Sequence, residues 1–247
     1  MEDLKDRVVV ITGSCEGIGL EIAKKFKFYN SRVVLVYFNK SSKQKKSSKK
    51  ILKKYKFDFA IGLDVTKTNS VKSSFFKIYQ KFKKIDILIN NAGINIVGDF
   101  DKISDQNWQK VIDTNLKGPF ICMREIYKYI SKNGKVVNLG SVSGQYGGPR
   151  TVSYACAKAG VMALTHCFAR FAGPKKNISV NCVSPGPIES DMLNLMPKKI
   201  LNNLKKDLLI QRLGQKEEVA NLVCFLSSKQ SSFITAQTVG INGGIWI

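Results

Sequence analysis

The segment that decides the fold runs from Arg7 to Phe28 and reads RVVVITGSCEGIGLEIAKKFKF. Its β-branched opening, Arg7–Thr12, predicts a strand buried on both faces of a parallel sheet. Glycines follow at positions 13, 17 and 19, and the apolar spacing from Leu20 onward predicts a helix. A glycine-rich loop between a strand and a helix brings backbone N–H groups and the helix dipole to a pyrophosphate. The segment therefore predicts a dinucleotide site, the alternative being a tight turn that holds no ligand.

Strand-like and helical runs alternate along the remainder of the chain. Further strands are predicted at Arg32–Tyr37, Asp58–Leu63, Ile85–Asn90, Gly134–Gly140, Ile178–Val183 and Gln237–Ile241. Alternation at this spacing is typical of βαβ units. We therefore predict an α/β fold of the Rossmann type, a doubly wound parallel sheet of about seven strands with helices on both faces. No stretch of the sequence has the composition of a linker between domains. One domain over residues 1–247 is therefore expected.

The helices are predicted from apolar periodicity and from their end signals. They cover Ser41–Tyr55, Lys67–Phe82, a long helix that carries Asp113–Gly118 and begins after a cap at Ser104, and Lys216–Leu226. The helix that bears Tyr154 is expected to end near Phe171, because Gly173 and Pro174 interrupt helices. A polar, amphipathic excursion follows at Ile188–Leu213.

Several segments that follow predicted strands should meet at one edge of the sheet. They are Gly13, Phe38–Lys40, Asp64 and Asn91. Ligands of doubly wound sheets lie beyond the carboxyl ends of the strands. The coincidence of these segments at that edge is a stronger indication of a nucleotide site than any one of them.

The residues after the second strand bear on the choice between NAD and NADP. A site that prefers NAD places Asp or Glu there to bind the ribose 2′-hydroxyl, whereas this chain has Asn39 and Lys40. Lys40 therefore favours a 2′-phosphate, unless it only begins the lysine-rich helix. Glu16 in the glycine loop points the other way, because a carboxylate repels a nearby phosphate.

Tyr154 and Lys158 stand four residues apart in a run of small side chains. On a helix, residues i and i+4 share one face, and the small neighbours leave that face open to a ligand. A phenol beside a fixed positive charge is a plausible acid/base pair, since the charge favours the phenolate. Taken alone, a surface tyrosine and a solvated lysine explain the pattern as well.

The chain of 247 residues carries 40 Lys and Arg against 18 Asp and Glu, a formal charge of +22. A genome-wide compositional bias would produce this charge, because the lysines are spread along the chain apart from one cluster at Lys43–Lys56. An acidic carrier protein or substrate is the main functional alternative. Nucleic acid is not expected as a partner, because no aromatic stacking platform accompanies the lysines.

Cysteine usage and the chain start indicate a cytoplasmic protein. The cysteines at positions 15, 122, 156, 167, 182 and 224 include no Cys-x-x-Cys pair, which fits reduced thiols better than disulfides or a zinc site. His166 is the only histidine, so neither a histidine triad nor a multi-histidine metal site is expected. The charged N-terminus resembles neither a secretory signal nor a transit peptide, and no apolar run approaches ~18 residues, so no membrane span is expected.

Taken together, the motifs of the sequence resemble those of the short-chain dehydrogenase/reductase family over nearly the whole length of the chain. The matching motifs, in chain order, are Thr12–Gly19, Asp64-Val65, Asn90–Gly93, Asn115, Ser141, Tyr154, Lys158, Pro185-Gly186 and Gly243-Gly244. Ser141 is preferred to Ser143, since it has the family's spacing of thirteen residues to Tyr154.

The resemblance implies a catalytic set of Asn115, Ser141, Tyr154 and Lys158 that acts on a carbonyl or a secondary alcohol. Tyr154 would donate a proton in reduction or remove it in oxidation. Lys158 would stabilise the phenolate and hold the nicotinamide ribose. Ser141 would hydrogen-bond the substrate oxygen, and Asn115 would position a water that links Lys158 to solvent.

The resemblance also implies a nicotinamide cofactor, for which Lys40 favours NADP(H) over NAD(H), and the single histidine predicts no metal site. The implied cofactor contacts are Gly13, Ser14, Gly17, Ile18, Gly19, Asn39, Lys40, Asp64, Val65, Asn91, Ala92, Gly93, Tyr154, Lys158, Pro185, Gly186, Ile188 and Ser190. The family's variable substrate loop corresponds to residues 188–213. Met192, Leu193, Leu195, Met196 and Leu201 of this loop would cover an apolar substrate or pack onto the core.

Within the family, the chain looks most like 3-oxoacyl-acyl-carrier-protein reductases of fatty acid biosynthesis. Lys40, Tyr154–Gly160 and Pro185–Met192 carry this likeness. It implies a 3-oxoacyl thioester on an acidic carrier protein, and a homotetramer. Because sugar, polyol and other small-alcohol dehydrogenases share the motifs, they stay open as alternatives. A cofactor-binding sensor without turnover is the alternative of another class.

Overall fold

The computed structural model describes residues 1–148, 150–190 and 198–246. Its centre is a parallel sheet of seven strands in the order β3-β2-β1-β4-β5-β6-β7. The strands are β1 Val8–Thr12, β2 Arg32–Phe38, β3 Phe59–Leu63, β4 Ile85–Asn90, β5 Ile130–Leu139, β6 Ser179–Pro185 and β7 Thr238–Ile241. The strand order reverses between β1 and β4, which is where doubly wound sheets bind their ligands. The predicted fold class is confirmed.

The helices cover both faces of the sheet. They are α1 Gly17–Phe28, α2 Ser42–Lys54, α3 Thr68–Phe82, α4 Asp105–Ile112, α5 Gly118–Ile126, α6 Ser143–Tyr146, α7 Val152–Lys176, α8 Lys198–Lys206 and α9 Lys216–Ser227. Within the described ranges, none of these helices has the length and apolar character needed to cross a membrane.

Burial on both faces explains the unbroken β-branched run of β1. Val8 and Val10 pack in one core with α3, α5 and α7, whereas Val9 and Ile11 pack in the other core with α1 and α9. All four side chains are fully buried. A central strand between two layers of helices has no solvent face, so its sequence does not alternate.

The segment Asp113–Lys117 between α4 and α5 is a π-helical turn rather than regular α-helix. The predicted long helix is present, and Ser104 caps it by accepting a hydrogen bond from the Asn107 N–H at 3.3 Å. The π turn places Asn115 in a fully buried position. Such turns occur often at functional sites.

The predicted end of the Tyr154 helix near Phe171 is wrong, because α7 continues through Gly173 and Pro174 to Lys176. Tertiary contacts hold this last turn in place. The Lys176 ammonium donates to the carbonyls of Tyr127 at 2.6 Å and Ile130 at 3.3 Å. The helix ends at Asn177, which has a left-handed backbone with φ of 52°.

Candidate active site

A cleft of about 840 Å³ opens at the carboxyl ends of the strands. Its volume lies in the usual range for small-molecule sites. Residues predicted as catalytic or cofactor-binding that line it are Gly13, Gly17, Ile18, Gly19, Asp64, Val65, Asn91, Ala92, Gly93, Ser141, Tyr154, Lys158, Pro185, Gly186, Ile188 and Ser190. The glycine loop and the Tyr154–Lys158 pair therefore share one continuous cavity.

The glycine loop is fastened to the neighbouring strand by Asn91. The side-chain amide of Asn91 donates to the carbonyls of Thr12 at 3.0 Å and Gly13 at 2.9 Å. The Thr12 hydroxyl in turn accepts the N–H groups of Asn91 and Ala92, each at 3.0 Å. These bonds fix the loop that leads from β1 into α1.

Glycine is required at several positions of this loop, for different reasons. Gly13 and Gly17 have positive φ, at 64° and 56°, which disfavours other residues. A Cβ on Gly19 would lie 2.5 Å from the Asn91 amide nitrogen, so that position permits no side chain. A Cβ on Gly17 would meet nothing within 4 Å, and it would project into open space. The loop is thus a cradle open to the cleft, which fits the phosphates of a dinucleotide.

The end of the cleft beside β2 and β3 is lined by polar side chains. Asp64 is buried, and its carboxylate accepts hydrogen bonds from the Thr66 N–H at 3.0 Å and the Thr66 hydroxyl at 2.7 Å. Lys40 lies outside this lining with its side chain 69% exposed, and its ammonium is 3.9 Å from the Asp64 carboxylate. Gln44 on α2 also lines this end, where it accepts a hydrogen bond from the Phe38 N–H at 2.9 Å.

The Lys158 ammonium is buried and lies next to the ring of Tyr154. It donates to the Leu139 carbonyl at 2.5 Å, and it lies 5.4 Å from the centroid of the Tyr154 ring. Only 5% of Lys158 is exposed, whereas Tyr154 is half-buried and faces the cleft. The two side chains therefore place a phenol and a fixed positive charge next to each other at the cavity.

Ser141 lies two residues after the end of β5 and lines the cleft together with Tyr154. Its hydroxyl oxygen accepts the Ser143 N–H at 3.2 Å, a bond at the start of α6. Ser143 lies two residues further along and is the first residue of α6. Gly144 lets α6 approach α7 closely, since a Cβ there would meet the backbone of Lys158 and Ala159.

The side chain of Asn115 does not line the cleft, although it was predicted as part of the catalytic set. Its amide is fully buried and makes two bonds to the backbone of Ile94, at 2.8 Å to the N–H and 2.7 Å to the carbonyl. The π turn thus clamps the segment that leaves β4, and Ile94 itself lines the cleft.

The wall opposite the glycine loop is built by the residues that follow β6. The N–H of Gly186 donates to the Ile241 carbonyl at 3.0 Å, and the N–H of Val142 donates to the Pro185 carbonyl at 2.9 Å. Ile188 forms a β-bridge with Gly214 just before α9. Of the predicted substrate loop, residues 191–197, with Met192, Leu193, Leu195 and Met196, lie outside the described residues.

Three of the predicted cofactor contacts lie away from the cleft wall. Ser14 is fully buried, and its hydroxyl accepts the Val36 N–H at 2.9 Å, so this side chain ties the glycine loop to β2. Asn39 and Lys40 are exposed in the turn after β2. These three contacts were predicted from the positions of the residues in the sequence. A position in the sequence does not show in which direction the side chain points.

Several lining residues were not among the predicted catalytic or cofactor contacts, although Phe38 was placed at the nucleotide edge and Glu16 was considered for cofactor choice. They are Glu16, Val36, Tyr37, Phe38, Gln44, Leu63, Thr66, Ile94, Asn95, Lys110, Thr114, Leu139, Gly140, Glu189 and Lys216. Most of them lie within a few residues of a predicted contact, and that proximity was the available signal. Gln44, Lys110, Thr114 and Lys216 come from helices, and only the packing of those helices brings them to the cavity.

Buried cysteines near the cleft are held as neutral thiols. Burial, and secondarily the charge of Glu16, raises the pKa of Cys15 to about 11. Burial likewise raises the pKa of Cys182 to about 11, although Lys158 partly opposes the shift. Since a thiolate is the reactive form, neither cysteine is suited to act as a nucleophile at neutral pH.

Comparison with known proteins assigns the chain to a family. A family model described as enoyl-(acyl carrier protein) reductase matches residues 13–245. The chain belongs to the short-chain dehydrogenase/reductase family. It is accordingly an NAD(P)-dependent oxidoreductase that acts on carbonyl or alcohol groups.

Curated relatives match over nearly the full length of both chains. The 3-oxoacyl-[acyl-carrier-protein] reductase of Thermotoga maritima is 36% identical over 247 residues, which cover 99% of each protein. The enzyme of the same name from Staphylococcus epidermidis is 33% identical over 244 residues, 98% of this chain and 100% of the relative. That of Chlamydia muridarum is 35% identical over 248 residues, 98% of each.

A solved structure gives the same fold. It is the crystal structure of a blue fluorescent protein from a metagenomic library in complex with NADPH, with a TM-score of 0.91 and 23% identity. The superposition covers 99% of this chain and 100% of the other. The likeness confirms the doubly wound architecture.

Proposed function

We propose that this enzyme reduces 3-oxoacyl thioesters carried by an acyl carrier protein, with NADP(H) as its favoured cofactor. The observation that carries the proposal is the shared cleft, which joins the glycine cradle to Ser141, Tyr154 and Lys158. Relatives at 33–36% identity that bear the name 3-oxoacyl-[acyl-carrier-protein] reductase support the choice of substrate.

Tyr154 is the proposed acid/base group. In reduction its hydroxyl would give a proton to the carbonyl oxygen of the substrate, and in oxidation the phenolate would take the proton back. The buried ammonium of Lys158 stabilises the phenolate left after proton donation, because a fixed positive charge in a poorly solvated site favours a nearby negative one. The Leu139 carbonyl holds that ammonium in place.

Ser141 is the proposed hydrogen-bond donor to the substrate oxygen. A donor already in position stabilises the negative charge that develops on that oxygen during reduction, and loss of one such donor costs about 2.7–4 kcal/mol. The N–H of Ser143 orients the Ser141 hydroxyl, which leaves its proton available. Asn115 would act through the segment that it clamps, and a role in a proton path to Lys158 stays a prediction.

The cofactor would lie along the cleft from the glycine cradle to Lys158. A bound nicotinamide would supply the hydride in reduction and accept it in oxidation. The backbone of the glycine loop would hold the pyrophosphate, and Asp64 and Val65 would contact the adenine. Preference for NADP(H) would come from Lys40 and from the lack of an acid directly after β2.

The charge of the molecule supports a carrier-bound substrate. A formal charge of +22 favours encounter with an acidic carrier protein. The free cysteines of the described chain fit a reducing compartment, and we propose the cytoplasm. A homotetramer is also proposed, as the family resemblance implies, and the apolar run Gly160–Leu164 on α7 is compatible with part of its interface. Within the chain, Gly160 packs on Leu116, and Val161 is buried.

The decisive experiment is a substrate screen with NADPH and with NADH. We expect the highest kcat/KM for a 3-oxoacyl group on acyl carrier protein. A neutral N-acetylcysteamine thioester of the same acyl group should also be reduced. Only the carrier-bound substrate should lose efficiency as salt rises, because screening weakens the attraction between the charged proteins.

The other outcomes of the screen separate the alternatives. Faster turnover of a sugar or a polyol than of any thioester would replace the proposed substrate. Cofactor binding without turnover of any carbonyl, in either direction, would favour a sensor. Equal salt dependence of the carrier-bound and neutral thioesters would contradict the role given to the positive charge.

A further inference from the structure

Helix α2 and the residues at its ends present a surface dominated by lysine. Residues 41–57 contain eight lysines and no acid. We call these exposed residues the lysine face: Lys43, Lys45, Lys46, Lys49, Lys50, Lys53, Lys54 and Lys56. Among the ion pairs of the described residues, none includes any of them. Neighbouring lysines outside the face do have acidic partners, as Lys24 has in Glu21 at 2.7 Å.

The other side of α2 is anchored to the body of the molecule. Ile51, Leu52 and Tyr55 pack against the core that α1 and α9 share. Ser41 caps the helix by accepting the Gln44 N–H at 3.2 Å. Because one side of the helix is packed in this way, the lysine face has a fixed orientation toward solvent.

The lysine face lowers the stability of the helix that carries it. Lys45, Lys49 and Lys53 follow one another at intervals of four residues, a spacing at which like charges on a helix repel. Lys43 lies in the first turn, where the helix dipole favours acids and α2 has none. Such a local conflict with helix stability is expected where a surface serves a function. An anionic partner would remove the repulsion.

The composition of the lysine face distinguishes between classes of anionic partner. It contains no arginine, the residue that pairs bidentately with phosphates and bases of nucleic acids. It also lacks an apolar centre, whereas protein interfaces bury aromatic or apolar anchors and are poor in lysine. Clusters of about four to eight lysines or arginines are typical of surfaces that bind the headgroups of anionic lipids. A lipid surface therefore fits this face best.

An exposed aromatic side chain borders the lysine face. Phe28 is the last residue of α1 and is 73% exposed. The end of α1 lies beside the end of α2, since the Lys24 ammonium is 5.6 Å from the centroid of the Tyr55 ring. Phe28 follows Lys24 by four residues, so it lies on the same side of α1. A phenylalanine beside a basic surface is suited to insertion among lipid headgroups.

We propose that the lysine face, together with Phe28, docks on the surface of a bilayer that contains anionic lipids. The protein would lie on the bilayer, and none of the helices within the described ranges is long and apolar enough to cross it. Each lysine near such a surface contributes about fivefold to affinity. The docking is independent of the reaction assigned to the cleft.

Co-sedimentation with vesicles at about 0.15 M salt measures the docking. One set of vesicles contains phosphatidylcholine alone, and the other a two-to-one mixture of phosphatidylcholine and phosphatidylglycerol. The wild-type protein should bind the mixed vesicles and not the phosphatidylcholine vesicles. The α2 triple variant, Lys46→Gln with Lys49→Gln and Lys53→Gln, should bind the mixed vesicles about 100-fold more weakly. Wild-type affinity in this variant would overturn the proposal.

The α3 triple variant, Lys67→Gln with Lys72→Gln and Lys77→Gln, is the matched control. These three lysines are exposed, and α3 packs on the opposite face of the sheet from α2. The two triple variants lose the same charge, so they differ only in where it is lost. The α3 triple variant should weaken binding by less than about threefold. Equal weakening by both would show that binding follows net charge, and the lysine face would not be the docking surface.

Two further measurements examine the fold and Phe28. The α2 triple variant should melt no lower than wild type, because the substitutions relieve repulsion between lysines. Phe28→Ser leaves the charge unchanged and should weaken binding to the mixed vesicles by about fivefold, since its ring no longer leaves water on docking. Unchanged affinity of Phe28→Ser would overturn the part given to this residue.

The same variants test the other classes of anionic partner. Polyuridylate and an acidic acyl carrier protein replace the vesicles in the binding measurement. If the wild-type protein binds one of these but not the mixed vesicles, and the α2 triple variant loses that binding, the lipid proposal is wrong and the face belongs to that partner. None of these results depends on turnover in the cleft, so the proposed function is tested separately.

Discussion

Asn91 illustrates how much of the site depends on single side chains. Its amide donates to the carbonyls of Thr12 and Gly13, so it fixes the conformation of the glycine loop. The sequence resemblance assigned Asn91 a contact with the cofactor ribose, and that contact stays a prediction. The bracing of the loop was not predicted, because side-chain direction depends on how β1 and β4 are paired.

Asn91→Ala should destabilise the protein by about 1–3 kcal/mol, since it leaves two carbonyls without their donor. Binding of NADH should weaken at the same time, because the loop loses its anchor. Chemical denaturation and fluorescence titration measure the two effects. Asn95→Ala is the control, since Asn95 lines the same cleft but is exposed, and a change beyond about 0.5 kcal/mol is not expected. Equal stability of the two variants would contradict the anchoring role.

At the scale of elements, helix α9 begins with a capping box that also fastens the preceding segment. The Gln215 N–H donates to the Glu218 carboxylate at 2.7 Å. Arg212 donates to both oxygens of the same carboxylate, at 2.9 and 2.7 Å. The hydrogen bonds from Arg212 and, next, from Gln215 lower the pKa of Glu218 from 4.5 to about 2.

The sign of the resulting pH dependence follows from that depressed pKa. Glu218 contributes stability above its unfolded pKa of 4.5, and the contribution is lost as pH falls toward about 2. Glu218→Gln should therefore lower the melting temperature at pH 7, and the difference from wild type should shrink between pH 4.5 and 2. Glu217→Gln in the same first turn is the control and should keep a constant difference. If the difference in melting temperature between wild type and Glu218→Gln did not change with pH, the stabilising role of the ionised Glu218 carboxylate would be wrong.

The elements also show where sequence rules succeed and where they fail. Strands β1, β2 and β4 were predicted almost to the residue, because a buried parallel strand has a distinct β-branched composition. The predicted end of α7 near Phe171 was too early, because the rules for Gly and Pro describe an isolated helix. Here the Lys176 ammonium donates to the carbonyls of Tyr127 and of Ile130, the first residue of β5, and holds the last turn. The π turn that carries Asn115 leaves no periodic pattern in the sequence. It could be found only from the structure, in which Asn115 bonds to Ile94.

At the scale of the whole molecule, the sheet brings together motifs that are far apart in the chain. Gly13, Asp64 and Tyr154 line one cleft, as parallel topology requires of residues beyond the carboxyl ends of the strands. That convergence could be predicted from sequence. The bond between Glu16 and Gln44 could not, because it depends on how α2 packs beside the glycine loop.

The proposed function requires Tyr154 as the proton donor in a nicotinamide-dependent reduction. Tyr154→Phe removes one hydroxyl and keeps the ring that faces Lys158. The most direct test measures NADPH oxidation with a 3-oxoacyl thioester, together with the dissociation constant of NADPH, in wild type and this variant. We predict that turnover falls by about 10²–10⁴-fold, the usual contribution of a positioned acid, while NADPH affinity is unchanged. Turnover of the variant at the wild-type rate would show that Tyr154 is not the proton donor.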